Sequence, residues 1–63
     1  MPFKIFQDKV TKKWKISKPE EDNKVISVDF KTRESALTMA KRWMEYRNYK
    51  IITVKGNIVS GTS

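Results

Sequence analysis

Lys12, Lys13, Lys15 and Lys18 crowd one short stretch around Trp14 and Ile16. Ammonium groups at that density attract polyanions, because lysines that reach phosphates release condensed counterions. The whole chain leans the same way: fourteen Lys and Arg stand against seven Asp and Glu, for a formal net charge of +7. The other chemistry the residues allow is narrow. There is no Cys and no His, so thiolate nucleophiles, disulfides, the commonest general base and the commonest transition-metal ligand are all missing. The acidic run Glu20-Glu21-Asp22 beside Pro19 reads as a solvated turn rather than a cation site. Gly56 and Gly61 stand apart and form no phosphate-cradling loop. A small two-layer domain also lacks room for a deep pocket. No catalytic residue, metal site or cofactor is expected, and the protein reads as a non-enzyme.

The elements that must position the lysines follow from the apolar spacing. Phe3 to Gln7 is short, aromatic and β-branched, and predicts a first strand, with a turn at Asp8 and Lys9. From Lys12 to Lys18 the chain alternates, Trp14 and Ile16 on one side and Lys13, Lys15 and Ser17 on the other. That period predicts a half-buried strand. Pro19 to Asn23 closes a hairpin, and Val25 to Phe30 alternates again as a third strand, with Ile26, Val28 and Phe30 on one side. Thr32 is placed to cap a helix running from Arg33 to about Arg47, and Asn48 suits a left-handed stop. Ala36, Ala40, Trp43 and Met44 make its apolar stripe, flanked by Leu37 and Met39. Trp14 and Trp43 read as core, Tyr46 and Tyr49 as closing the end of the core. Lys41, Arg42 and Arg47 read as a solvated helix surface.

Tyr49 to Val54 is β in composition, and Gly56-Asn57 signals a two-residue hairpin that sets Val54 opposite Val59 and Thr53 opposite Ser60. The last residues, Ser60 to Ser63, are expected to fray. The fold class is therefore α+β, in the order β-β-β-α-β-β: a single domain, residues 1–63, with an antiparallel sheet and one helix on one face. A chain of 63 residues buries only about 60% of its unfolded surface, so its core is thin. The helix is expected on the Trp14, Ile16, Ile26, Val28 side, leaving the Lys13 and Lys15 side open. If Phe3 and Ile5 face the core, Lys4 and Phe6 share that open side.

The candidate nucleic-acid-binding residues are thus Lys4, Phe6, Lys12, Lys13, Lys15 and Lys18. The lysines serve phosphates, and Phe6 stacks on a base or packs on sugar. The partner expected first is nucleic acid, DNA ahead of RNA. A protein partner, such as a host protein met by a phage or mobile-element factor, is the alternative, with the chain a monomer or homodimer. No stretch approaches the roughly 20 apolar residues of a membrane span, and the start lacks a leader pattern, so a cytoplasmic location is expected.

Trp14-Lys15-Ile16, then Phe30-Lys31-Thr32-Arg33-Glu34-Ser35-Ala36, Ala40 and Lys55-Gly56-Asn57-Ile58 are similar to a small bacterial and phage family of unknown function. Its members carry W-x-V, a T-x-x-E-A helix start and a closing G-x-I hairpin. The likeness covers roughly Trp14 to Val59 and implies a fold, not an activity. From Lys4 to about Tyr46 the chain also resembles the amino-terminal arm-binding domain of phage and transposon tyrosine recombinases. That resemblance implies a sheet presented to DNA, with Lys4, Lys13 and Lys15 facing the groove; the final hairpin lies outside it.

Overall fold

The computed structural model describes residues 2–62. Five strands, β1 (Pro2–Gln7), β2 (Trp14–Lys18), β3 (Lys24–Val25), β4 (Ile51–Lys55) and β5 (Ile58–Thr62), form one sheet with a single helix, α1 (Arg33–Tyr46), packed on one face. All neighbouring strands are antiparallel, in the spatial order β3-β2-β1-β5-β4. The α+β architecture expected from the spacing is the one observed. The first and last strands meet in the middle of the sheet, where β1 pairs with β5.

One layer of apolar side chains joins sheet to helix. Phe3, Ile5, Ile16, Val59, Ala36, Ala40 and Met44 are fully buried and Leu37 nearly so, with Trp14, Ile26, Phe30, Met39, Trp43, Tyr49 and Ile52 packed around them. The small Ala36 and Ala40 let the helix axis lie close to the sheet. Burying each of the larger side chains contributes about 1.5–3 kcal/mol, so the fold depends on very few of them. Among the described residues no helix is long and apolar enough to cross a membrane.

Both helix ends are closed locally. Thr32 Oγ1 accepts from the Ser35 backbone N–H at 3.1 Å, which satisfies one of the free donors of the first turn. At the other end Asn48 adopts φ 65°, Asn48 N–H donates to Glu45 O, and Tyr49 N–H donates to Met44 O. This left-handed cap turns Tyr49 back onto the core. Arg33 ties the start of the helix to the β4–β5 turn, donating to Asn57 Oδ1 and to Gly56 O, each at 2.7 Å. That turn has Gly56 at φ 62°, and its register sets Val54 opposite Val59 and Thr53 opposite Ser60.

Several expectations need correction. The first turn spans Asp8 to Lys13, so Lys12 and Lys13 precede β2 rather than lying on it. Asp8 Oδ1 accepts from the backbone of Val10 and Thr11, and Lys12 takes φ 64°. The third strand shrinks to two residues, because the pairing of Ile26 with Ile16 and of Phe30 with Trp14 leaves residues 27–29 opposite Lys15 alone. This bulge throws Val28 into water, 76% exposed, instead of onto the core. Ser27 Oγ fills the gap in the ladder by accepting from Ile16 N–H at 2.8 Å. Residues 60–62 do not fray: they are the second half of β5, and Lys50 N–H donates to Thr62 O; Ser63 lies outside the described residues. Tyr46 is 90% exposed and closes nothing.

Candidate nucleic-acid interface

The helix covers one face of the sheet, and strand register assigns residues to the other. Lys4 pairs with Ser17 on one side and Ile58 on the other, and Ile58 pairs with Lys55. Directly paired residues share a face. A row therefore runs Val25, Ser17, Lys4, Ile58, Lys55 across all five strands on the uncovered side. The next row sets Phe6 opposite Lys15. With strands spaced about 4.8 Å apart, Lys4 and Lys55 sit about 10 Å from each other across β5.

No strand contains an Asp or Glu; the acids lie in the turns, the bulge and the helix. The sheet thus offers cations, hydroxyls (Ser17, Ser60, Thr53) and a few apolar side chains. Phe6 is half-buried, and with Lys4, Ser17 and Asn23 it lines a hollow of about 200 Å³. Ser17 is buried beneath that hollow, its hydroxyl 3.5 Å from Lys4 O.

Carboxylates reach this face only at one margin. Lys15 Nζ lies 3.4 Å from Asp8 Oδ2 and 3.7 Å from Asp29 Oδ1. The turn and the bulge thus hold the ammonium between two acids. Asp8 has a lowered pKa, first from the Thr11 backbone N–H, then from that of Val10, with Lys15 adding to it against partial desolvation.

Of the six sequence-selected residues, the structure gathers Lys4, Phe6 and Lys15 on the open face. Lys12 and Lys13 belong to the adjoining turn, which corrects the expectation that Lys13 shares the strand face. Lys18 falls on the helix side, where its ammonium meets Glu21 at 3.1 Å. The acidic run is a 3-10 turn, Pro19–Glu21, followed by Asp22 and Asn23 at positive φ. Glu21 is held below the usual carboxylate range first by the Lys18 hydrogen bond and then by the Lys18 charge.

Lys55 was not among the expected site residues. The hairpin register, extended by one rung, puts it on a face with Ile58. Only the β1–β5 pairing, which local spacing does not carry, brings that face to Lys4. A groove of about 630 Å³ opens on the helix side, lined by Lys18, Ile26, Trp43, Tyr46 and Arg47. Compared with known proteins, the chain matches no family model, no curated protein and no solved structure.

Proposed function

We propose that this domain is a non-catalytic nucleic-acid-binding module that lays the uncovered face of its sheet on the phosphate backbone of DNA. The observation that carries the reading is the charge segregation of the sheet: Lys4, Lys15 and Lys55, from three of its five strands, stand on the uncovered face, and no strand carries a carboxylate. Lys4 and Lys55 contact phosphates, Lys15 exchanges Asp8 and Asp29 for phosphate on binding, and Phe6 packs on sugar or base. Lys12 and Lys13 extend the contact from the adjoining turn. Affinity of this kind is largely independent of sequence and falls with salt.

Titration of a labelled duplex at low salt tests it. Lys4→Glu combined with Lys15→Glu should weaken binding by at least about tenfold, since reversal replaces attraction with repulsion at two contacts. Unchanged binding by the double variant overturns the reading.

A second reading, docking of a protein strand, has its own observation. β4 is an outer strand of five residues with Ile51 60% and Val54 42% exposed, and an unpaired edge of that length accepts an added strand. Ile51→Asn with Val54→Asn, which leaves the charge unchanged, should weaken such docking and leave DNA binding intact.

A further inference from the structure

We propose that the groove on the helix side is a second, independent site that takes an unpaired nucleotide of a single strand, its base against Trp43 and Tyr46 and its phosphate at Lys18 and Arg47. The groove lies across the sheet from the face assigned above. Its volume of about 630 Å³ falls in the ordinary range for small-ligand sites.

Each wall has a physical part. Trp43 is half-buried and fixed by an edge-to-face contact with Phe3, ring centres 5.8 Å apart at 79°, so its indole is held in place before any ligand arrives. Tyr46, one helical turn further along the same side, is 90% exposed. An exposed aromatic beside an anchored one offers a π surface to a flat ring, and bases of any sequence stack on such surfaces. Ile26 supplies an apolar floor. The charge is complementary to phosphate: Lys18 and Arg47 line the groove, and the Arg47 guanidinium lies 5.8 Å over the Phe3 ring. Arginine there presents a planar fork suited to phosphate oxygens. Glu21 marks the margin, its carboxylate on Lys18, and it must yield when phosphate comes. A purely apolar ligand would meet neither cation, and an acidic peptide would not match the aromatic faces.

The test uses the full chain, a short labelled oligothymidylate and inorganic polyphosphate as a probe that has charge but no base. Tyr46 is exposed, so Tyr46→Ala keeps the fold. It should weaken oligothymidylate binding by about tenfold, the worth of one stacked base, and leave polyphosphate binding unchanged. Glu21→Gln should tighten the oligothymidylate, and the Trp43 indole N–H resonance should shift with oligothymidylate only. Tyr46→Ala binding oligothymidylate as the wild type does, polyphosphate moving the Trp43 resonance equally, or an acidic peptide competing for the groove would each overturn the site. Lys4→Glu with Lys55→Glu separates the two proposals: it should weaken duplex binding while the effect of Tyr46→Ala on oligothymidylate persists.

Discussion

Phe6 and Lys15 stand directly opposite one another on the side of the sheet that the helix leaves uncovered, and the Lys15 ammonium is shared between Asp8 and Asp29. An aromatic ring and a cation are thus presented together, with the cation held in reserve by the turn and the bulge. In the proposed complex, a phosphate would have to compete with those two acids for it.

The competition has a direct consequence. Asp8→Asn keeps an oxygen to accept from Val10 and Thr11 but removes the charge that holds Lys15. Duplex affinity should rise severalfold, with the gain shrinking as salt is added. Fluorescence anisotropy at two salt concentrations checks it; weaker binding by Asp8→Asn would show that Lys15 is not used.

Acid should loosen the fold through two turns, at Asp8 and at Glu21. Asp8 and Glu21 both have folded pKa values below their ordinary 3.8 and 4.5. A carboxyl lowered on folding stabilises fully above its unfolded pKa, and that stability is lost as pH falls through the folded value. The urea midpoint should therefore hold from neutral pH down to about pH 5 and then decline. Asp8→Asn and Glu21→Gln should each flatten the decline, as circular dichroism followed against urea from pH 7 to pH 3 would show.

Two glycines should respond differently to the same change. A Cβ on Gly61 would come 2.7 Å from Met44 Sδ and 2.8 Å from Tyr49 Cγ, and Met44 is fully buried, without room to retreat. Gly61→Ala should cost roughly 1–3 kcal/mol by overpacking. At Gly56 a Cβ meets nothing within 4 Å, but φ is +62°, so Gly56→Ala should cost about 1 kcal/mol of backbone strain. Thermal melts of the pair read the order directly, and a larger loss at Gly56 would contradict the packing described for β5.

Much of this architecture is legible in local spacing. Thr32, the Ala36–Ala40–Met44 stripe and Asn48 mark the helix because capping and periodicity act within a few residues. Val54 and Val59 reveal their register because a two-residue turn fixes which residues meet. Val28 misleads because alternation cannot show a bulge: the period continues through residues 27–29 although the ladder does not. Tyr46 misleads because it lies two residues past Met44, about 200° around the helix from the buried stripe, so its ring is left 90% exposed. The candidate site was half legible. Lys4, Phe6 and Lys15 follow from strand parity once Phe3 and Ile5 are assigned to the core. Lys55 depends on β1 lying beside β5, a pairing between the first and last strands. Lys18 shares its parity with Ile16, and the helix-side groove it lines joins β2 to residues far along the chain.

The salt dependence of duplex binding bears most directly on the central claim, that the uncovered, lysine-bearing sheet face meets phosphates. For the wild type, the logarithm of the association constant should fall linearly with the logarithm of salt concentration. Each phosphate contact contributes about 0.9 to the slope, so Lys4→Gln and Lys55→Gln should each make it shallower by roughly that amount. A duplex that does not bind at low salt, or a slope that both substitutions leave unchanged, would contradict the account.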